Sequence, residues 1–344
     1  MSAIAGGVAV LAGAFTAEAA AMGRHLRIDQ HDVLNRGDWV DLKRPGLWSA
    51  NRSCRLVRAA DGWIAVNLPR ESDLEAVPAW IGERIGADPW RAIRRIAAAT
   101  PRRRLIEQAR LLALPICAVG EVQAASPASP LHRLGRAGRR PRGGFAQARV
   151  LDLSGLWAGP LCGALLAGAG FEVTKVESAG RPDVMRQSAP GFFEALNGRK
   201  AHVRLDFADP ADLRRLGEMM ADSDVVITSA RPRAFDQLGL SPEVLFGRNP
   251  HLVWVAISGY GWRGRAIDRV AFGDDAAAAG GLVRWTASGE PRFAGDALAD
   301  PLTGLAAAAG ALKALRRGGG VLVDAAMART AAGAAALAGV RCPS

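Results

Sequence analysis

The feature that most constrains this chain is the stretch from residue 149 to 258, where short apolar runs alternate with helical periodicity. Residues 224–228 (Asp-Val-Val-Ile-Thr) and 252–258 (Leu-Val-Trp-Val-Ala-Ile-Ser) are continuous runs, with no polar residue at every second position. A strand of that kind is covered on both faces, as strands of parallel sheets are. Residues 149–153, 172–177 and 201–205 read as further strands, and 161–168 and 210–220 as helices. This alternation predicts an α/β fold with a doubly wound parallel sheet, whose ligands bind beyond the carboxyl ends of the strands.

A smaller α+β unit is expected upstream. Residues 55–58 and 63–67 read as strands joined across Ala60-Asp61-Gly62, a hairpin turn signal. Helical segments follow at about 71–85, 89–98 and 102–112, then a short strand at 116–119. Arg91, Arg94 and Arg95 share one helix face, which reads as a solvated face. Residues 125–148 are rich in Pro, Gly, Ser and Arg and read as a linker. No aromatics interleave its basic run, so nucleic-acid binding is not expected. The expected division is an N-terminal helix in 1–30, a small α+β domain at 31–124, the linker at 125–148 and a Rossmann-like domain at 149–344.

With 49% hydrophobic and 22% charged residues, the 344-residue chain has globular composition, which excludes wholesale disorder. The net charge of +11 suits a polyanionic partner without choosing one. Cys54, Cys117, Cys162 and Cys342 have neither metal-ligand nor redox spacing, so no metal site is expected, and a reducing, cytoplasmic setting is. The Ala/Gly-rich residues 1–22 lack the basic segment of a secretory signal. No apolar run reaches the roughly 18 residues of a transmembrane helix, so no membrane partner is expected.

The first strand is followed by Ser154-Gly155-Leu156-Trp157-Ala158-Gly159-Pro160, and the second ends in Glu177. A strand-terminal acid at that distance suits a dinucleotide. However, the G-x-G-x-x-G spacing is absent, and Pro160 supplies no N–H to a pyrophosphate, which argues against NAD.

Seven segments in order resemble the class III CoA-transferase family, which includes formyl-CoA and carnitine CoA-transferases and α-methylacyl-CoA racemase. They are Val150-Leu151-Asp152-Leu153-Ser154 with Ala158-Gly159-Pro160; Val173-Thr174-Lys175-Val176-Glu177; Asn197-Gly198-Arg199-Lys200; Asp224-Val225-Val226-Ile227 with Arg231-Pro232 and Leu238-Gly239-Leu240; Asn249-Pro250-His251-Leu252-Val253; Ile257-Ser258-Gly259-Tyr260-Gly261; and Ala299-Asp300-Pro301-Leu302-Thr303-Gly304. Residues 50–135 resemble the family's small domain, through Asp61-Gly62-Trp63-Ile64-Ala65-Val66 and Leu114-Pro115-Ile116-Cys117-Ala118-Val119. In the usual order that domain follows the Rossmann-like half. Here it precedes it, so the chain reads as a circular permutation or as one arm of a gene built from repeated halves.

The resemblance implies a substrate, an acyl-CoA thioester, with no further cofactor, and an acceptor carboxylic acid. It makes Asp300 the nucleophile. From the residues alone, Asp300 is a carboxylate ahead of a helix at 305–315 and reads as an N-cap; Asp296, four residues earlier, is a decoy for the nucleophile. The resemblance places CoA contacts on Trp157 and Ala158 in the first loop, Ser178 and Arg181 after the second strand, Ser229, Ala230, Arg231, Arg233 and Gln237 in the third block, and Arg269. It also implies a homodimer, interlocked in the family. Two alternatives stay open: an acyl-CoA racemase, for which Asp274 or Asp275 would be the base since residues 270–275 hold no His, and a non-catalytic CoA-binding paralogue.

Overall fold

The computed structural model describes residues 2–125, 129–138 and 145–340. Strands β1 (Cys54–Ala59), β2 (Gly62–Asn67) and β3 (Ile116–Ala118) form an antiparallel sheet in that order. Helices Glu71–Ile81, Pro89–Ala98 and Arg102–Leu111 accompany it, and Val57, Ile64, Val66, Trp80, Ile93 and Leu105 make its own core. The large sheet comprises β4 (Leu131–Arg133), β5 (Arg149–Leu153), β6 (Glu172–Ser178), β7 (Ala201–Leu205), β8 (Val225–Thr228), β9 (Val253–Ser258) and β12 (Val321–Ala326). A separate ribbon pairs β10 (Val283–Trp285) with β11 (Pro291–Phe293).

The large sheet runs β4-β12-β9-β8-β5-β6-β7, parallel except for β4. Counted along the parallel strands alone, this is the 3-2-1-4-5-6 order of a doubly wound sheet, and the order reverses between β5 and β8. The continuous apolar runs are continuous because alternate residues serve opposite layers. Val225, Ile227, Val253, Val255 and Ile257 face one core with helices Ala158–Gly168, Gly273–Ala279, Ala299–Arg316 and Met327–Leu337. Val226, Trp254 and Ala256 face the other, with helices Pro210–Asp222, Pro232–Gln237 and Pro242–Arg248. Each Leu, Val or Ile buried this way contributes about 1.5–3 kcal/mol relative to exposure.

Two elements depart from the sequence reading. Residues 131–133, read as linker, form the edge strand β4, whose Leu131, His132 and Arg133 pair with Val323, Leu322 and Val321. Residues 126–128 and 139–144 of the same expected linker lie outside the described residues. The helix expected at 305–315 starts at Ala299 and runs through Asp300-Pro301 to Arg316. Proline is tolerated in a first helical turn, where its missing N–H would have no partner anyway.

The N-terminal helix Ser2–Ala20 packs on Ala299–Arg316 and Met327–Leu337. The small lobe docks on Gly273–Ala279: Gly120 N–H donates to Ala278 O and Val122 N–H to Ala279 O, both at 2.9 Å. That docking brings residues from the first 70 positions to the carboxyl ends of the large sheet.

Candidate active site

The loop after β5 is held from below by a buried polar network. Asp152 accepts from Lys200 Nζ at 2.7 Å, and the same ammonium donates to Pro160 O and to Asn197 Oδ1, both at 2.8 Å. Ser154 donates from its N–H (3.0 Å) and its hydroxyl to Asp152 Oδ1. Lys175, fully buried on β6, donates to Ser154 O at 2.7 Å. Burial alone would lift the Asp152 carboxyl, but Lys200 and Lys175 outweigh it and hold it below the usual carboxylate range. Above this network Leu156 sits at φ +69°, a left-handed conformation costly for a residue with a Cβ. Its N–H is held by Asp183 at 3.1 Å, and Gly155 N–H donates to Ser229 Oγ at 3.1 Å. The strained turn opens helix Ala158–Gly168 toward the cleft.

Asp300 is the second residue of helix Ala299–Arg316. It does not cap that helix: Leu298 occupies the cap position and no side chain bonds there. Its carboxylate points across to the Ala158 N–H. Two glycines permit this placement. A Cβ on Gly304 would come within 2.8 Å of Leu161 Cδ2 and 2.9 Å of Ala158 O, so the two helices touch at backbone distance. A Cβ on Gly273 would lie 2.1 Å from Asp300 Oδ2.

Behind Asp300 lies an acidic pocket. Asp274, almost fully buried, accepts from Ala297 N–H at 2.9 Å. Asp275, fully buried, accepts from Asn67 Nδ2 at 2.7 Å and Phe272 N–H at 2.9 Å. Asp296 is gripped by Arg36 through Nε at 2.5 Å and Nη2 at 2.9 Å. Burial pushes the Asp300 carboxyl up to about 7; Arg36 opposes the rise and Asp274 adds to it. Burial likewise lifts Asp274 to about 7, with Asp296 adding, and Asp275 to about 8, against the Asn67 hydrogen bond.

In front of Asp300 a cleft of about 440 Å3 lies across the β5/β8 switch point. Of the residues marked out by sequence, Ala158, Arg181, Ser229, Ala230, Arg231, Arg233, Gln237, Arg269 and Asp300 all line it. Arg181, Arg231 and Arg233 form no ion pair among the described residues, so three cations cluster at the strand ends with only Asp268 nearby to offset Arg231. Burial, then Arg233, push the Arg231 guanidinium below its ordinary value; Asp268 opposes this, and Arg70 and Arg181 add to it. Such crowding is relieved by a bound anion. Arg269 is engaged instead: it pairs with Glu121 at 2.6 Å and lies over the Tyr260 ring at 3.7 Å.

Residues 145–339 match CoA-transferase family III. The chain belongs to that family. It is 33% identical over 199 residues to the succinyl-CoA–D-citramalate CoA-transferase of Chloroflexus aurantiacus, covering 54% of this chain and 50% of that one. It is also 33% identical over 189 residues to the succinyl-CoA:glutarate CoA-transferase of Mus musculus, covering 51% and 43%. A CAIB/BAIF family protein from Brucella suis superposes with a TM-score of 0.51 at 28% identity, over 55% of this chain and 54% of that one. A hypothetical protein from Mycobacterium tuberculosis superposes at 0.52 and 31% identity, over 58% of each. The chain spans about half the length of these relatives.

Two residues expected to contact CoA in this family member do not line the cleft. Trp157 is 2% exposed and lies behind Asp300, under the Arg36 guanidinium (5.3 Å) and edge-on to Phe192 (5.2 Å). Ser178 ends β6 and bridges to Arg181 through the backbone. Glu177 is taken up by Arg186 at 2.5 Å and by Asp183 N–H at 3.0 Å, so it is not poised for a ribose. Neither Asp274 nor Asp275, the candidate racemase bases, lines the cleft; both face inward. Sequence reasoning missed two arginines. Arg70 lines the cleft from the small lobe. Its N–H donates to Asp73 at 3.0 Å, and the acid three residues on was a readable helix-start signal. Arg36 left no local signal, because its partner lies 260 positions away.

Proposed function

We propose that this CoA-transferase family member moves CoA from an acyl-CoA donor to a carboxylic acid through Asp300. The observation that carries the reading is the placement of one half-buried carboxylate, near neutrality, at the inner wall of a cleft whose outer wall carries Arg181, Arg231 and Arg233, which form no ion pair among the described residues. The relatives named for succinyl-CoA transfer support it.

In this reading the CoA phosphates lie against Arg181, Arg231 and Arg233, and the thioester reaches inward to Asp300. The carboxylate attacks the acyl carbonyl, a C–O bond forms, the C–S bond breaks and CoA leaves as thiolate. That thiolate attacks the aspartyl carbonyl of the mixed anhydride and expels the donor acid, leaving Asp300 as a CoA thioester. The acceptor carboxylate attacks this thioester and releases the thiolate a second time. The thiolate then takes the acceptor acyl group, and Asp300 is a carboxylate again. Ala158 N–H and Gly159 N–H at the helix start are the nearby donors for the oxyanions; no protein acceptor is seen for Gly159 N–H among the described residues. A carboxyl titrating near 7 is largely ionised at slightly alkaline pH, and Gly273 leaves it room to react.

The test is exchange. The protein is incubated with a panel of acyl-CoAs, succinyl-CoA first, together with dicarboxylic and monocarboxylic acids, and new acyl-CoAs are sought by mass spectrometry. Acceptor-dependent formation of a new thioester is expected. α-Proton exchange with solvent deuterium, without transfer, would show a racemase instead. Assembly as a homodimer belongs to the same proposal; sedimentation giving an active monomer would remove that part.

A further inference from the structure

We infer that Arg36, supplied by the N-terminal half of the chain, is a positioning residue for Asp300: clamped on Asp296, it fixes the loop leading into the nucleophile and sets the charge that the nucleophile faces. The inference rests on the reading of Asp300 above.

The geometry is specific. Nε and Nη2 of Arg36 address both oxygens of Asp296, at 2.5 and 2.9 Å, in the bidentate form that fixes orientation as well as distance. The pair is nearly sealed, with side chains 12% and 9% exposed. The guanidinium lies over Trp157 at 5.3 Å, and Trp157 is held edge-on by Phe192. The backbone around it is fixed as well: Asn35 Oδ1 accepts from Gly37 N–H at 2.8 Å, and Arg36 O accepts from Trp39 and Val40 N–H at 3.1 Å. A buried arginine so restrained is not a solvated surface charge.

Its position decides what it does. Asp296 and Asp300 bracket a tight turn in which Asp300 N–H donates to Ala297 O at 2.9 Å, with Ala297 at φ +41°. Holding Asp296 therefore holds the turn that aims Asp300. The groups facing Asp300 can be named element by element. Helix Gly273–Ala279 presents Asp274, with Asp275 behind it; the turn presents Asp296; helix Ala158–Gly168 presents the Ala158 N–H; and the N-terminal segment presents Arg36. Cys54, a buried thiol whose pKa is pushed up by burial and then by Asp274 and Asp275, brings no charge. Arg36 is thus the one cation among the groups named and acts on Asp300 and Asp274 as well as on its direct partner. Without it, Asp300 would face uncompensated carboxylates and keep its proton to higher pH, where a protonated acid is no nucleophile. The segment carrying Arg36 lies outside residues 145–339, so the nucleophile's environment is completed by a part of the chain beyond the family match.

The experiment follows the carboxyl itself. The full-length protein is labelled with aspartate carrying 13C at the side-chain carboxyl, and the Asp300 signal is assigned by its loss in Asp300→Asn. We expect a titration midpoint near neutrality in the wild type. In Arg36→Gln it should rise by about one pH unit or more, as expected when an opposite charge within reach is removed, and Arg36→Lys should restore most of the change. In Asp296→Asn the midpoint should fall, since a negative neighbour is lost and Arg36 is released. Unmoved midpoints in both Arg36→Gln and Asp296→Asn would overturn the inference. Should Arg36→Gln not fold, Asp296→Asn decides alone, and an unchanged midpoint there overturns it. The nucleophile reading fails separately: midpoints that move as expected, on an Asp300 that never carries an acyl or CoA adduct, would keep Arg36 and remove the catalytic role.

Discussion

Asp152 and Asp300 flank the same helix, Ala158–Gly168, and both are withdrawn from bulk water, yet they meet opposite fates. Asp152 has two buried lysines within its network, and its carboxyl stays ionised below the usual range. Asp300 shares one arginine with Asp296 and Asp274, and its carboxyl rises to about 7. The difference lies in the ratio of fixed cations to carboxylates around each group. The first arrangement is a scaffold: both Asp152 oxygens accept and the Lys200 ammonium makes three hydrogen bonds, and the result is a loop held in a strained turn. The second leaves a carboxylate under-compensated at the wall of a cleft, the kind of environment in which functional carboxylates cluster.

The comparison can be broken or sharpened in four ways. The largest effect is expected at Asp300. Asp300→Asn should lower CoA transfer by about three orders of magnitude or more, while CoA affinity measured by calorimetry stays within a few-fold. A comparable loss of transfer in Asp152→Asn, without loss of stability, would erase the distinction.

Next is the scaffold. Lys200→Met leaves Asp152 buried with one cation fewer, and breaking a buried pair from one side costs about 3–5 kcal/mol. Chemical denaturation should report it. Transfer per folded molecule should fall far less than in Asp300→Asn.

The two regions should also depend on pH with opposite sign. Asp152 has a depressed folded pKa, so its contribution is present above the unfolded carboxylate value and is lost as pH falls through the folded one. Asp275, raised to about 8, contributes most below the unfolded value of 3.8, and that contribution is lost as pH rises toward 8. Asp275→Asn should therefore melt closer to, or above, the wild type at pH 8.5 and fall behind it at pH 5. A constant difference between the two pH values would contradict the raised carboxyl.

The smallest effects belong to the cleft mouth. Arg231→Ala or Arg233→Ala should each weaken CoA binding about tenfold, about 1.4 kcal/mol, and make it less salt-sensitive. Dephospho-CoA binding as tightly as CoA would argue against phosphate recognition there.

The sheet, its strand ends and the place of Asp300 at the cleft were legible in the sequence because they follow from local pattern: apolar runs for buried strands, loops at their carboxyl ends, a block of residues shared with a family. What was not legible depends on distant partners. Strand β4 has three residues, too few for a periodic signal, and exists because β12 pairs with it. Trp157 was expected at the ligand, but the turn at Leu156, with φ +69°, directs the indole into the core beside Phe192. The helix carrying Asp300 was placed too late because Pro301 reads as a boundary, although proline suits a first turn. Arg70 reaches the site through docking of the small lobe, and Arg36 on the segment before it through Asp296, both of them contacts between positions far apart in the chain.

The central claim is that Asp300, and not its ion-paired neighbour Asp296, forms the covalent intermediate. The direct measurement is mass spectrometry of the protein quenched during turnover with succinyl-CoA, or with whichever acyl-CoA the exchange panel identifies. Trypsin should release both aspartates between Arg292 and Lys313, and fragmentation separates them. The account requires an acyl or CoA adduct, sensitive to hydroxylamine, on Asp300. Turnover with the adduct on Asp296, or with neither residue modified and Asp300→Asn fully active, would contradict it.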